Sequence, residues 1–290
     1  MKVGVVGVGI MGSAIARNLL KAGSAVTAYD IDAARLGEIG AAGAAVARSA
    51  ADVADGSEIV LTSLPSEAAL EATVAAIGAK PRPGVVMAEL STLPIPAKLR
   101  ARDALAAAGI PLLDCPLSGT GAQAVTGDLA VYASGDRAAY DRALPALRQF
   151  SRVSHFLGEF GNGSKMKFVA NLLVAIHNVA SAEAMVLGMK AGLDPAQIAE
   201  VIASGAGNSR VFELRSPMMV ADRYEPPSMK IDIWQKDMAI IGAYAASLGV
   251  TAPLFTATVP VYNAAVEQKL GGQDTAAVCA VLERMAGLAR

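Results

Sequence analysis

The sequence predicts an α/β chain, with a doubly wound parallel sheet in its first half, an all-helical second half, and one long helix joining them. Three observations carry this. Short β-branched runs alternate with Ala-rich helical stretches as far as Leu157, strand signals stop after Lys165, and between Gly161 and Pro195 runs GNGSKMKFVANLLVAIHNVASAEAMVLGMKAGLDP, too long and too apolar for anything but a buried helix.

The first strand is Lys2 to Val6, followed directly by Gly7-Val8-Gly9-Ile10-Met11-Gly12 and a helical stretch from Ser13 to Lys21. Gly23 ends that helix, Ala25 to Tyr29 reads as the second strand, and Asp30 closes it. A G-x-G-x-x-G lodged between strand and helix, with an acid at the end of the next strand, is the dinucleotide-binding signature of a Rossmann domain. Gly7 permits the tight turn, Gly9 lets backbone N–H groups approach a pyrophosphate at the positive end of the helix, and Gly12 lets helix and strand pack closely. Asp30 suits a ribose diol and repels a 2′-phosphate, and neither Ile31 nor Asp32 supplies a compensating cation. NAD is therefore expected over NADP, with Arg35 leaving NADP open.

Ser57 to Leu64, Val85 to Leu90 and Pro111 to Asp114 read as further buried strands with helices between them. Ligands of such sheets gather at the carboxyl ends of the strands. Leu64-Pro65 and Ser91-Thr92 lie there, as cofactor contacts or as ordinary loop starts and helix caps. The stretch CPLSGTGAQAVTGDL after Asp114 reads as a loop whose N–H groups and hydroxyls suit a carboxylate, or as a plain surface loop. Strands from Leu129 to Ala133 and Val153 to Leu157, flanking a helix from Arg137 to Phe150, complete the half.

In the long helix Gly161, Asn162 and Gly163 read as a turn, Ser164 as the N-cap, and Gly192 with Pro195 as the stop. Apolar on nearly every face, it is expected to be buried on all sides. Lys167, Asn171 and Asn178 fall on one narrow stripe of it. Lys167 either snorkels to solvent or is a desolvated amine placed for proton transfer, with an amide one turn along. Helices are then expected over Pro195–Ala203, Arg210–Val220, Lys230–Leu248, Leu254–Leu270 and Thr275–Ala286. The domains are expected to divide as 1–162 and 163–290.

Hydrophobic residues at 53% and charged ones at 18% belong to a folded chain, and a net charge of −1 with no basic run argues against nucleic acid or an anionic membrane as partner. Cys115 and Cys279, the only cysteines, are far apart and fit a reducing cytoplasm. With only His155 and His177, neither a metal site nor a histidine-based triad is expected. Asn171, His177, Asn178 and Glu183 interrupt the most apolar stretch, so no membrane span is expected, and the N-terminus lacks a signal-peptidase site.

Taken together, VGVVGVGIMGSAIARNL, ELST, DCPLSGTGAQAVTGDLAVYASGD, GNGSKMKFVANLL and the KDM that includes Lys236 resemble the β-hydroxyacid dehydrogenase family. That family includes 3-hydroxyisobutyrate dehydrogenases and tartronate semialdehyde reductases and is related to 6-phosphogluconate dehydrogenase. The resemblance implies reversible NAD(P)-dependent hydride transfer between a small 3-hydroxy acid and its semialdehyde or oxo acid. Lys167 then resembles the catalytic lysine, Asn171 the substrate amide, Ser118-Gly119-Thr120 the loop on the substrate carboxylate, Thr92 a nicotinamide-ribose contact and Lys236 a cofactor-side lysine. A homodimer or homotetramer is implied as well. This chain departs from the family's pattern at Thr120, at Ala170, at Glu89 where an aspartate is usual, and in the placing of Pro94 and Pro96. Val174 replaces the glutamate of the decarboxylating relatives, which argues against that chemistry. Arg210 and Arg215 are candidates for a distal acidic group of the substrate, or for structural ion pairs. An imine-reducing relative and a non-catalytic NAD-binding module are the alternatives.

Overall fold

The computed structural model describes residues 1–290, which divide into two compact units, Met1–Lys167 and Phe168–Arg290. The first unit opens with β1 (Lys2–Val6), α1 (Ile10–Lys21), β2 (Ala25–Tyr29), α2 (Ala33–Ala41), β3 (Ala45–Val46) and α3 (Ala50–Asp55). It continues through β4 (Ile59–Thr62), α4 (Glu67–Gly78), β5 (Val86–Glu89), α5 (Ile95–Ala107) and β6 (Leu112–Asp114). These strands form one parallel sheet in the order β3-β2-β1-β4-β5-β6.

Every residue of β4, β5 and β6 is buried, as strands covered by helices on both faces must be. Alternation along β1 shows the two covers. Val5 joins a core with Ile15 and Leu19 of α1 and Ile39 of α2, while Val6 joins another with Val53, Leu70 and Ile77 of α3 and α4.

The stretch after Asp114 is more ordered than the loop expected from sequence. It forms β7 (Leu117–Ser118), then α6 (Gly121–Thr126) behind a Thr120–Gln123 capping box, because Gln123 reaches back to the Thr120 N–H at 3.1 Å. With β8 (Ala130–Ala133), α7 (Arg137–Leu147) and β9 (Val153–Phe156), β7 makes a separate three-stranded sheet, β7-β8-β9.

The long helix, α8 (Asn162–Lys190), spans about 43 Å at 1.5 Å per residue and crosses the boundary between the units. It begins earlier than the sequence reading placed it, since Asn162 and Gly163 are already helical. Ser164 is therefore not its N-cap. The expectation of burial on every face also fails, because Val169, Leu173 and Leu187 are 55%, 47% and 72% exposed while Ala175, Ala182 and Met185 are fully covered. The helix has the length and composition of a membrane span, yet part of it packs within its own unit: the buried Asn178 Nδ2 donates to Tyr262 Oη and to the Thr275 carbonyl, both at 2.9 Å.

The second unit continues from α8 through α9 (Pro195–Ala203), α10 (Arg210–Ala221), α11 (Ile231–Ser247) and α12 (Pro253–Glu267). The last expected helix splits into a 3-10 turn, Thr275–Ala277, and α13 (Val278–Met285). The break lies where the Asp274 carboxylate accepts the Ala276 N–H at 3.0 Å. Phe212, Trp234, Tyr262 and Val278 form the buried centre of this unit.

Candidate active site

The glycine loop sits at the carboxyl end of β1 beside that of β4, where the strand order reverses. Gly7 has a φ of +86°, and a Cβ on it would meet the Ser63 carbonyl oxygen at 2.2 Å; one on Gly12 would meet the Gly7 carbonyl oxygen at 1.8 Å. Both glycines are demanded by packing. Gly9 is different, since a Cβ there meets only Arg35 Nη1, at 3.6 Å. The space before Gly9 is thus open, and α1 begins with no side-chain cap and no acid in its first turn. A bare positive helix end facing open space fits a dinucleotide pyrophosphate, and Ile10, exposed there, and half-buried Met11 are its first residues.

Asp30 is buried at the end of β2, where its carboxylate accepts the Val8 N–H at 2.7 Å and the Asp32 N–H at 2.9 Å. That draws the acid onto the glycine loop itself. Arg35, the cation that left NADP open, lies 3.3 Å from the Asp32 carboxylate.

At the ends of β4 and β5 the two other cofactor candidates are joined, Ser91 Oγ accepting the Leu64 N–H at 2.7 Å. Pro65 is exposed and Thr92 half-buried. Ser118 ends β7, Gly119 has a φ of +135° and Thr120 caps α6, so all three lie at one short strand-to-helix turn.

Beneath these loops lies a cluster that the sequence reading missed. Register pairs Glu89 with Asp114 on neighbouring strands, so two carboxylates end β5 and β6 side by side. Lys98 of α5 enters between them, its Nζ 2.6 Å from Glu89 Oε2, 2.8 Å from Asp114 Oδ1 and 2.7 Å from the Ser91 carbonyl oxygen, and all three charged side chains are fully buried. Burial alone would lower the lysine pKa, but the charges of Asp114 and Glu89, with their hydrogen bonds, outweigh it and hold the ammonium above its ordinary range. Burial, followed by the charge of Asp114, pushes the Cys115 thiol well up, so it stays neutral.

Asp114 also replaces the expected Ser164 cap. Its Oδ2 accepts the Ser164 N–H and its Oδ1 the Ser164 hydroxyl, both at 2.8 Å, while Ser134 Oγ takes the Gly163 N–H at 2.9 Å. Gly163 lets this happen, since a Cβ there would meet the Tyr132 carbonyl oxygen at 2.2 Å. The first turn of α8 is thereby fastened to the ends of β6 and β8. Lys167, two residues past that turn, is buried, 8% exposed.

In the second unit Asn171, one helical turn beyond Lys167, is buried and donates Nδ2 to Asp237 Oδ2 at 3.0 Å. A primary amide carries a second N–H and a carbonyl oxygen besides. Lys236 is half-buried, 3.5 Å from the other oxygen of Asp237. Buried Arg215 makes a structural pair with Asp274 at 2.7 Å, and exposed Arg210 lies 3.0 Å from Glu213. The signal for Asp237 was present in the KDM motif; nothing in IPAKLRARDAL distinguished Lys98 from a solvated helix lysine.

Sheet order, glycine loop and acid at the end of β2 define a dinucleotide-binding Rossmann domain. Comparison with known proteins narrows this. Residues 2–158 match the family model described as the NAD binding domain of 6-phosphogluconate dehydrogenase, and 161–282 the one described as NAD-binding of NADP-dependent 3-hydroxyisobutyrate dehydrogenase. An L-threonate dehydrogenase of Cupriavidus necator is 34% identical over 95% of this chain and 94% of its own. A 2-(hydroxymethyl)glutarate dehydrogenase of Eubacterium barkeri is 28% identical over 99% and 97%. The crystal structure of a 3-hydroxyisobutyrate dehydrogenase from Salmonella typhimurium superposes with a TM-score of 0.88 at 29% identity, covering 97% of this chain and 99% of that one. The chain belongs to the β-hydroxyacid dehydrogenase family, and it is an NAD(P)-dependent hydroxyacid dehydrogenase.

Proposed function

We propose that Lys167 is the general acid/base of this dehydrogenase, that Ser118, Gly119 and Thr120 hold the substrate carboxylate, and that Asn171 supplies an amide to the substrate. The cofactor, when bound, supplies the hydride acceptor. Oxidising the alcohol also requires a proton to leave oxygen, and an amine withdrawn from bulk water can take it and return it in the reverse direction. In its protonated form the same group stabilises negative charge growing on that oxygen. The observation that carries this reading is the burial of Lys167 on a helix whose first turn is anchored to the carboxyl ends of the strands.

The remaining assignments follow the same division. Gly7 to Gly12, Asp30, Leu64, Pro65, Ser91, Thr92 and Lys236 are cofactor ligands, within a dinucleotide domain of 1–162 and a helical substrate and oligomerisation domain of 163–290. NAD is preferred to NADP, because Asp30 and Asp32 together oppose a 2′-phosphate and Arg35 is drawn to Asp32. The substrate is a small 3-hydroxy acid. The exposed Val169, Leu173 and Leu187 of α8 are covered in a homodimer or homotetramer, and the enzyme works in the cytoplasm.

Lys167→Ala tests the reading. Oxidation of 3-hydroxyisobutyrate, glycerate, threonate, 4-hydroxybutyrate and serine with NAD, followed by absorbance of the reduced cofactor, should yield at least one wild-type substrate. Turnover of that substrate falls by about 100-fold or more in the variant, the scale of lost general acid/base catalysis, while NADH binding persists. Near-wild-type turnover removes Lys167 from the chemistry, and turnover of cyclic imines with none of hydroxy acids replaces the reading with imine reduction.

A further inference from the structure

The Lys98 cluster is more elaborate than stability requires. Replacing a buried ion group by well-packed apolar side chains is often neutral or stabilising, so three fully buried charges are weak evidence of a role in holding the fold. Ions in that setting add direction: an ammonium fixes the oxygens around it in one arrangement, whereas apolar groups tolerate sliding. The oxygens here belong to different parts of the site. The Ser91 carbonyl, 2.7 Å from Lys98 Nζ, opens the Ser91-Thr92 loop. Asp114, 2.8 Å away on the other side, carries the first turn of α8 through both the N–H and the hydroxyl of Ser164. Glu89 completes the frame, its second oxygen accepting the Ser91 N–H at 2.9 Å.

We propose that Lys98 is a positioning residue for the nicotinamide end of the cofactor site: its buried ammonium sets the Ser91-Thr92 loop and the first turn of α8 in one register. The proposal rests on the assignment of Ser91 and Thr92 as nicotinamide-side ligands and of Lys167 as acid/base. Lys98 touches neither substrate nor cofactor; it acts through Ser91 and through Asp114. Lys98 and Glu89 belong together in this account, since the ammonium bridges the two strand ends by pairing with both carboxylates.

The test uses the full-length Glu89→Gln/Lys98→Met variant. It removes one charge of each sign, so the cluster keeps the net charge of −1 that it has now, and the amide oxygen of the introduced glutamine can still accept the Ser91 N–H. Binding of NADH and of ADP-ribose, which lacks the nicotinamide, is measured by calorimetry. NADH affinity is expected to fall about tenfold while that for ADP-ribose changes less than about twofold. With a hydroxyacid that the wild type turns over, kcat falls at least as far and the KM for the hydroxyacid stays within about twofold, because misplacement affects the reacting geometry more than ground-state binding. Unchanged NADH affinity, or parallel losses for NADH and ADP-ribose, overturns the proposal. If the double variant does not fold, Lys98→Arg, which keeps the charge and moves its donors, is expected to show the same selective loss, and wild-type NADH binding by it is equally fatal. Wild type inactive on every hydroxyacid would defeat the proposed function, and the NADH and ADP-ribose comparison would still decide the role of Lys98.

Discussion

In the N-terminal unit one buried ammonium, Lys98, serves two carboxylates; in the C-terminal unit one buried guanidinium, Arg215, serves one, Asp274. The second arrangement is balanced and local. Asp274 gathers the N–H groups of Ser228, Met229 and Ala276, the Ser228 hydroxyl and Arg215, and so pins the loop before α11 against the turn before α13. The first arrangement carries a surplus negative charge, and it places that charge at the amino end of α8, where the helix dipole welcomes it. It also lies at the carboxyl edge of a parallel sheet, the edge where ligands of this fold bind. Buried charge by itself therefore says little about role. What separates a staple from a positioning device is the identity of the backbone groups it holds.

Deleting the carboxylate at the centre of each cluster gives the largest test of this distinction. Asp114→Ala and Asp274→Ala each strand a buried cation or weaken its pairing, and urea denaturation should show losses of about 3–5 kcal/mol in both. They part company in ligand binding. At temperatures where both remain folded, calorimetric NADH titration should show weakened binding in Asp114→Ala and wild-type binding in Asp274→Ala. Equal behaviour of the two would erase the contrast.

Smaller deletions sharpen it. Ser164→Ala and Ser228→Ala each remove a hydroxyl that hydrogen-bonds a buried carboxylate, a change of about 1.5–3 kcal/mol when the partner is charged. Ser164→Ala should lower turnover as well as stability, because it loosens the turn that precedes Lys167, whereas Ser228→Ala should lower stability alone. Steady-state kinetics beside denaturant melts would separate them.

The mildest test is pH. Burial, aided by Asp114, raises the Cys115 thiol, and burial with the nearby Glu283 raises Cys279 to about 12. An acid whose pKa is higher folded than unfolded binds its proton more tightly in the native state. Each thiol then contributes stability that is complete below the unfolded value of about 8.5 and is lost as pH rises past it, at about 1.4 kcal/mol per pH unit. Lys98 has the same sign, but its loss begins only above about 10.4. Thermal melts from pH 7 to 10 should stay level to about 8.5 and then decline. Cys115→Ala should roughly halve the slope, leaving the share of the C-terminal unit. A slope that ignores the substitution would show that the Cys115 thiol holds its proton no more tightly folded than unfolded.

Local pattern determined much of this protein. The glycine spacing, the acid at Asp30, the alternation of strand and helix, and the stripe bearing Lys167 and Asn171 were all legible, because each depends on neighbours in sequence or on helical periodicity. The family resemblance rested on the same local words. Tertiary structure decided the rest. Ser164 reads as a cap because a serine directly after a Gly-Asn-Gly turn commonly caps the helix that follows, and only the approach of β6 shows that Asp114 does the capping. The loop after Asp114 turned out to hold β7 and α6, since a two-residue strand is stabilised by its partner β8 and leaves no periodicity to read. Lys98 was invisible for the same reason. A lysine on a helix of mixed composition with no clear apolar face is solvated unless distant strands bring two carboxylates to it, and strand register, which sets Glu89 opposite Asp114, is a property of the folded sheet.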